Sequence, residues 1–182
     1  IANFIIGSGA TLTIEPGTEV RFTTGGALTV NGILDAQGTS VSRIIFTSNN
    51  ANPGPGNWDR MQFNAGSDNS VLKYADVRYM FFGIRADGSA LLIDNVTVEH
   101  DYYGIVLQNS NATVSNTTIQ NSFSYGLAIE GGGSPSLTGN MIRNNWNAVN
   151  VNGASPIFTN NMIFDNTLGV AISCASSVEM TG

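Results

Sequence analysis

Apolar residues recur along this chain at a period of about twenty-one residues between Val71 and Ile172. In each repeat, one apolar residue is followed six or seven positions later by a small residue that opens a short alternating strand. The apolar anchors are Val77, Val98, Ile119, Ile142 and Ile163, and the small ones are Gly83, Gly104, Gly126, Ala148 and Gly169. Strand-like alternation at a fixed period of this length is typical of a β-solenoid.

Aligning the repeats places their apolar residues in continuous columns. The first inward column is Ile84, Ile105, Leu127, Val149 and Val170, and the next is Ala86, Leu107, Ile129, Val151 and Ile172. A third is Leu72, Ile93, Val114, Leu137 and Phe158. Because one coil cannot bury its apolar face alone, the repeats must stack. We therefore predict an all-β fold, a single-stranded parallel β-helix with three strands and 21–22 residues in each coil.

Asparagines recur where the chain turns between the predicted strands. Asn95, Asn116 and Asn160 share one corner position, and Asn140 and Asn161 share the position beside it. Asparagine tolerates left-handed backbone, and stacked equivalent amides can hydrogen-bond to one another along the stack. These five residues are predicted to form a structural ladder.

The whole chain is predicted to be one β-helix domain with three parts. Residues 1–47 are expected to form tighter coils, with parallel segments at 10–14 and 27–30, sixteen residues apart. Residues 48–57 are rich in Pro, Gly and Asn and are expected to protrude as a loop, either as a tolerated insertion or as the wall of a groove. Residues 58–182 are expected to form regular coils, the last of them incomplete.

Several runs of the sequence resemble a known superfamily. They are LTIEPGTEVRF, LTVNGILDAQGT and IIFTS near the start, and VSNTTIQNSFSYGLAI and FTNNMIFDNTLGVAI further on. These runs resemble bacterial secreted right-handed parallel β-helix proteins with pectate-lyase-like repeats. The resemblance implies a right-handed helix, but that superfamily includes lyases, hydrolases, epimerases, adhesins and structural surface proteins, so it implies no single activity. Its polysaccharide lyases and hydrolases keep calcium-binding aspartates with a catalytic Arg or Lys, or three clustered aspartates. Neither set can be matched here.

Charge and composition narrow the choice of partners and location. Charged residues make up 11% of the chain and the net charge is −6, so the basic stripe that nucleic acid requires is missing from the sequence. No apolar run approaches the ~20 residues of a membrane-spanning helix, and membrane insertion is not expected.

The abundance of Asn, Thr, Ser and Gly favours a secreted protein that is extracellular or on the cell surface. The chain opens without methionine or a signal peptide, which predicts a mature or excised segment, and Cys174 is expected to be a buried, inert thiol.

Charged residues on adjacent predicted coils form one candidate patch. Its members are Lys73, Asp76, Arg78, Asp94, Glu99, His100 and Asp101. The simplest interpretation is cross-coil ion pairing on a solvated face, and the alternative is an acid–base pair acting on a glycosidic bond. No loop has metal-ligand spacing. We therefore predict no catalytic residue, no metal and no cofactor, and a protein that is not an enzyme.

Aromatic residues just before the second anchors form the candidate interaction surface. They are Phe81, Phe82, Tyr102, Tyr103, Tyr125 and Trp146. Phe82, Tyr103 and Tyr125 are expected to form one column beside a second column of Phe81, Tyr102 and Trp146. Three roles stay open for these rings: burial at the corner, a protein contact, or packing against sugar rings.

The favoured function is that of a non-enzymatic extracellular structural protein acting in assembly or adhesion. We expect self-association through the solenoid ends, which would give a head-to-tail filament, or else ends covered by flanking domains. The alternative is a protein that binds or degrades polysaccharide. An ice-binding face is disfavoured because its threonine column is interrupted, reading Asp76, Thr97, Thr118, Met141 and Met162.

Overall fold

The computed structural model describes residues 1–173 and 176–182, and in these ranges the chain winds through successive coils of three β-strands. Within the described ranges no helix forms, so none is long and apolar enough to cross a membrane. Each strand pairs in parallel with the equivalent strand of the next coil, which produces three parallel sheets. The predicted all-β solenoid with three strands per coil is confirmed.

The three sheets share one strand order, and we call them sheets A, B and C in the order in which the chain visits them. Sheet A contains β1 (Asn3–Ile6), β4 (Ala27–Val30), β7 (Trp58–Phe63), β10 (Met80–Asp87), β13 (Tyr103–Gln108), β16 (Tyr125–Glu130), β19 (Asn147–Asn152) and β22 (Leu168–Ser173). Sheet B contains β2 (Thr11–Ile14), β5 (Ile33–Gln37), β8 (Val71–Lys73), β11 (Leu92–Asp94), β14 (Thr113–Ser115), β17 (Ser136–Thr138), β20 (Ile157–Thr159) and β23 (Glu179–Thr181). Sheet C contains β3 (Glu19–Phe22), β6 (Ile44–Ser48), β9 (Ala75–Arg78), β12 (Thr97–Glu99), β15 (Thr118–Gln120), β18 (Met141–Arg143) and β21 (Met162–Phe164).

The core lies inside the coils, along the predicted apolar columns. In sheet A, Ile84 pairs with Ile105, Ile105 with Leu127, Leu127 with Val149, and Val149 with Val170. The columns of sheets B and C keep register in the same way, and Met180 extends the sheet B column by pairing with Phe158. Alternate residues of a strand point to opposite faces, so one apolar face per strand is enough to fill the interior. Each side chain that is fully buried contributes about 1.5–3 kcal/mol.

The first coils have a register that differs from the prediction. Leu12 of β2 pairs with Leu34 of β5, twenty-two residues later, and Phe4 of β1 pairs with Leu28 of β4, twenty-four residues later. The predicted pairing at a spacing of sixteen residues is therefore wrong, because β2 and β4 belong to different sheets. The early coils are not shorter than the later ones. Their short Thr-Leu strands look alike, and local alternation does not show which sheet a strand joins.

A loop and a buried ring pair mark the third coil. Strand β6 includes Ser48, and residues 49–57 form the loop that leads to β7. The loop returns to the solenoid where the amide of Gly56 donates to Met80 O at 3.1 Å. Immediately after it, the buried indole of Trp58 stacks on Phe22 with ring centroids 4.1 Å apart. The chain therefore resumes the core as predicted.

Arg43 links its own coil to the next two coils beside sheet C. Its Nε donates to Asp76 Oδ1 at 2.8 Å, and one terminal nitrogen donates to the carbonyls of Ala75 at 2.7 Å and Asn95 at 3.0 Å. Asp76 thus pairs with an arginine from the preceding coil, which the sequence did not predict.

The predicted environment of Cys174 lies outside the described residues.

Candidate functional site

Two corners of the solenoid carry left-handed backbone on every regular coil. We call them the BC corner, between sheets B and C, and the CA corner, between sheets C and A. Positive φ at the BC corner occurs at Tyr74, Asn95, Asn116, Gly139 and Asn160. At the CA corner it occurs at Tyr79, His100, Asn121, Asn144 and Asp165. His100 therefore holds a turn position.

The BC corner contains an amide ladder one residue beyond its left-handed position. Asn140 and Asn161 stack, with Nδ2 of Asn140 donating to Oδ1 of Asn161 at 2.9 Å. The same Oδ1 accepts the amide of Asn140, and Nδ2 of Asn140 also donates to Val114 O, each at 2.9 Å. Each side chain thereby satisfies backbone groups on neighbouring coils, which are costly to bury unpaired.

The other three residues assigned to the ladder do something different. Asn95, Asn116 and Asn160 supply the left-handed backbone of the turn. The Asn116 side chain donates to Oδ1 of Asp94 at 2.9 Å rather than to another asparagine. Sharing a corner column is therefore not sufficient for an amide ladder, because the side chain must also point inward.

The CA corner contains a second ladder, which was not predicted from the sequence. Asn145 donates from Nδ2 to Oδ1 of Asn166 at 3.1 Å and to Ile119 O at 3.0 Å. Its own Oδ1 accepts the amide of Ser122 at 2.9 Å. The signal was present in the sequence, because Asn145 and Asn166 are twenty-one residues apart and each directly follows a turn residue.

The outer part of the charged patch forms cross-coil contacts on sheets B and C. Lys73 Nζ lies 3.3 Å from Asp94 Oδ2, on the adjacent strand. Burial raises the pKa of Asp94, but hydrogen bonds from Asn116, Ser115, Asn95 and Lys73 together outweigh it and lower that pKa below its usual value. These contacts hold a carboxylate in its ionised form.

Arg78 and Glu99, two other members of the charged patch, do not form an ion pair. Arg78 and Glu99 occupy paired positions on adjacent strands, but Glu99 Oε2 accepts from Gln120 Nε2 at 2.8 Å instead. The Arg78 guanidinium carbon lies 5.9 Å from the Tyr79 ring centre. Strand register therefore makes Arg78 and Glu99 neighbours, but it does not make their side chains form an ion pair.

Asp101 does not belong to the outward patch, and that prediction is wrong. Its side chain is completely buried, and its Oδ1 accepts the backbone amide of Met80. It occupies the inward position of the CA corner, one residue after the left-handed His100. The turn geometry rotates this carboxyl into the core although the residues before it face solvent.

The predicted aromatic residues form two parallel stacks along the CA corner. In the inner stack, Phe82 lies 6.3 Å from Tyr103, and Tyr103 lies 5.9 Å from Tyr125, with interplanar angles of 10° and 14°. In the outer stack, Phe81 and Tyr102 are 4.8 Å apart with an interplanar angle of 11°. Stacking therefore covers part of the face of each ring, and Phe81 is the most exposed of these five at 38%.

Phe123, rather than Trp146, follows Tyr102 in the outer stack. The Phe123 ring lies 5.5 Å from Tyr102 and is tilted by 33°, and Trp146 follows one coil later. Phe123 is 69% exposed and Trp146 is 58% exposed, more than any other ring at this corner. Phe123 was not predicted as part of the interaction surface, because Phe123 and Tyr125 both precede Gly126 and alternation does not show which of the two rings faces solvent.

An open groove of about 680 Å³ runs beside these two exposed rings. We call it the CA groove, and it is lined by Tyr102, Asn121, Ser122, Phe123, Ser124, Asn144, Asn145, Trp146, Asp165 and Thr167. Its wall is therefore a mixture of ring surface, amides and hydroxyls, with a single carboxylate. Concave surfaces that combine aromatic rings with a few polar groups are typical of ligand-binding sites.

A smaller trough of about 220 Å³ lies on sheet A beside the inner stack. It is lined by Phe82, Arg85, Tyr103, Val106, Ala128 and Glu130. Phe82 is the first ring of the inner stack, and Tyr103 covers one of its faces. The Arg60 guanidinium carbon lies 4.5 Å from the Phe82 ring centre, so a cation covers the other face. This trough offers less free ring surface than the CA groove.

Among the described residues, no group of three or more His, Cys, Asp or Glu side chains is placed to hold a metal ion. The carboxylates of the predicted charged patch are not clustered. Asp76, Asp94 and Glu99 lie on the outer side of sheets B and C, and Asp101 is buried at the CA corner.

Residues 82–182, which are more than half of the chain, match the family model described as the right-handed β-helix region. The chain therefore belongs to this family, and the handedness that the resemblance implied is confirmed. No curated protein matches the chain, and neither does any solved structure.

Proposed function

We propose that this protein is a non-enzymatic, extracellular attachment module that binds a polysaccharide chain in the CA groove. The observation that carries the proposal is the pair of open aromatic rings, Phe123 and Trp146, on successive coils beside a groove lined with amides and hydroxyls. Of the stacked rings next to them, Tyr102 also lines the groove, and the others support it.

The chemistry of the groove suits a sugar ring. The apolar face of a pyranose packs against an aromatic face, whereas its hydroxyls need amide, hydroxyl or carboxylate partners. Phe123 and Trp146 supply the faces, and Asn121, Asn144 and Asp165 supply polar groups from the left-handed column beside them. The coils repeat along the helix axis at the spacing of parallel strands, about 4.8 Å, so the groove presents similar groups repeatedly to a polymer.

The charge of the groove favours a neutral or cationic saccharide over a uronate polymer. Among the lining residues that the structure describes, Asp165 is the one that carries charge, and the whole chain has a net charge of −6. A polymer with a carboxylate on every sugar would meet repulsion and no arginine or lysine partner in this groove.

The same lining supports binding rather than turnover. Hydrolysis of a glycosidic bond ordinarily uses two carboxyl groups across the bond, and this groove is lined by one. We therefore propose that the module holds the chain without cleaving it. Head-to-tail assembly of copies stays a prediction.

The experiment is a binding comparison across soluble polysaccharides of different charge: a neutral glucan, a neutral galactan, chitosan and polygalacturonate. Affinity electrophoresis of the wild type is compared with Phe123→Ala, Trp146→Ala and the double variant. Phe164→Ala is the matched control, because Phe164 is a half-exposed ring on sheet C, outside the groove. We expect each groove variant to weaken binding by about tenfold, the equivalent of ~1.4 kcal/mol of ring packing, and the control to bind normally.

Three results would contradict the proposal. One is undiminished binding by the double variant, and another is turnover of any of the four polymers. A third is a wild type that binds none of them and self-associates in a way that the double variant abolishes, which would assign the rings to a contact between copies. Preference for polygalacturonate would overturn only the charge argument.

A further inference from the structure

Asp101 is an acid at a position where the CA corner elsewhere uses a neutral amide. Along the inward column of this corner, Asp101, Ser122, Asn145 and Asn166 follow one another on successive coils. Asn145 and Asn166 act in the same way, since the side-chain oxygen of each accepts an amide from the preceding coil. Asp101 does this too, because its Oδ1 accepts the amide of Met80.

The second side-chain atom separates Asp101 from the asparagines. Nδ2 of Asn145 donates to Ile119 O at 3.0 Å, and Nδ2 of Asn166 donates to Ile142 O at 2.9 Å, in each case reaching a carbonyl of the preceding coil. Asp101 has an oxygen, Oδ2, instead of that nitrogen, and this buried oxygen has no hydrogen-bond partner. A carboxylate oxygen cannot donate to a carbonyl, whereas a protonated carboxyl group can.

The surroundings favour the protonated form. Burial raises the pKa of Asp101 well above its usual value, and the charge of Glu99 raises this pKa further against the lowering effect of the Met80 and Tyr79 amides. On the following coil, residues 120–122 carry no charged side chain. The charged or titratable groups in the surrounding turns are Arg78, Tyr79, Glu99, His100 and Tyr102.

We propose that Asp101 is a neutral carboxylic acid in the folded protein, that it serves as a rung of the CA ladder, and that loss of its proton loosens the corner that carries the groove. In the protonated state, its hydroxyl fills the donor role of an asparagine Nδ2. In the ionised state, a negative oxygen is left without a donor in the interior. The bound proton is thus a structural part of the corner.

The corner connects this proton to the groove. The Asp101 carbonyl accepts the amide of Phe123 at 2.9 Å, and the amide of Tyr102 donates to Met80 O at 2.8 Å. Both Tyr102 and Phe123 line the CA groove, so a displacement of the Asp101 turn moves two of its walls. For ligand binding, this inference rests on the proposed function, and for stability it stands without it.

The test measures urea unfolding of the wild type and Asp101→Asn from acidic to mildly alkaline pH. A group whose folded pKa is raised stabilises the fold fully below its unfolded pKa, and this stability is lost as the pH rises through the folded pKa. Within that window, the unfolding equilibrium constant of the wild type should increase about tenfold for each pH unit. Asp101→Asn should remove this slope and be at least as stable as the wild type at the alkaline end.

Asp87→Asn is the matched control, because Asp87 is a part-exposed aspartate of sheet A and its replacement should leave the slope in place. Carbon-13 NMR of the aspartate carboxyls gives a second measurement, in which one resonance with a raised pKa should vanish in Asp101→Asn. Persistence of the slope in Asp101→Asn, lower stability of this variant at every pH, or an Asp101 resonance with an ordinary aspartate pKa would each overturn the inference.

The binding measurement separates this inference from the proposed function. The polysaccharide that the wild type binds best is measured at both ends of the pH range. Weaker binding by the wild type at the alkaline end, together with unchanged binding by Asp101→Asn, supports the coupling to the groove. Binding that is lost equally in both proteins contradicts that coupling. If no polysaccharide binds at all, the proposed function fails, and the stability and NMR results still decide the state of Asp101.

Discussion

The BC and CA corners solve the same folding problem, and only one of them presents a groove with exposed rings. Both turn through left-handed backbone on every regular coil, and both use a pair of stacked asparagines to satisfy neighbouring backbone groups. At the BC corner, the residues beside the ladder are Asn116, Thr117, Gly139 and Asn160, and the acid, Asp94, is part-exposed. At the CA corner, the residues are aromatic and the acid, Asp101, is buried.

Comparing the two corners distinguishes the residues that close a turn from the aromatic rings that are added at only one of them. An amide ladder and a left-handed residue are sufficient to close a corner, as the BC corner demonstrates. The rings at the CA corner are additional, and their exposed faces have an energetic cost in water that a ligand would remove. Four predictions test this separation, from the largest expected change in stability to the smallest.

Adding a methyl group should discriminate between the two corners most strongly. Gly83, in strand β10 just after the CA corner, and Gly139, at the BC corner, both have positive φ, at 74° and 65°. A Cβ at Gly83 would collide with the carbonyl oxygens of Gly104 and Tyr103, whereas one at Gly139 would meet only Asn116 Oδ1 at 3.2 Å. We expect urea unfolding to show a loss of about 3 kcal/mol or more for Gly83→Ala, and of about 1–2 kcal/mol for Gly139→Ala. Equal losses would mean that the corners are equally crowded.

The ladders themselves should be of similar strength. Asn140→Ala and Asn145→Ala each leave buried backbone groups without partners, and each should lower the free energy of unfolding by about 1–3 kcal/mol. Asn69→Ala is the control, because Asn69 is exposed and its change should be within about 0.5 kcal/mol. Chemical denaturation of the three variants checks this. An Asn145→Ala variant as stable as the control would show that the CA corner is held by its rings instead.

The two aspartates should give stability opposite dependences on pH. The pKa of Asp94 is lowered, so its stabilising contribution is present above the unfolded pKa and is lost as the pH falls through the folded pKa. For Asp101, whose pKa is raised, the loss occurs as the pH rises. Asp94→Asn should therefore flatten only the acid limb of the stability curve, by at most about 1 kcal/mol. Flattening of the alkaline limb by this variant would refute the assignment.

Removing the exposed rings should have the smallest effect on folding. Phe123→Ala and Trp146→Ala should each change the free energy of unfolding by less than about 0.5 kcal/mol, because these rings are more than half exposed. Phe22→Ala, which removes a buried ring stacked on Trp58, should cost about 3–5 kcal/mol in the same assay. A large loss for Phe123→Ala would place that ring in the structural framework and weaken its proposed role in binding.

Sequence alone determined the solenoid, its period and its inward columns. Each coil repeats the same spacing of apolar residues, and a parallel stack brings equivalent residues together, so the period of the sequence is also the register of the sheets. The repeat predicted that Ile84 lies against Ile105 and Leu137 against Phe158, as the strands pair. It failed for β2 and β4, because insertions in the early coils destroy the period that carries the register.

Tertiary structure decided what the corners do. Asp94 and Asp101 have the same side chain and lie seven residues apart, yet one is held as an anion at the surface and the other is enclosed. Alternation predicts direction within a strand and is silent in a turn, where left-handed backbone rotates the next side chain inward. In the same way, only the packing of successive coils showed that most of the aromatic rings cover one another, and that Phe123 and Trp146 keep their faces open.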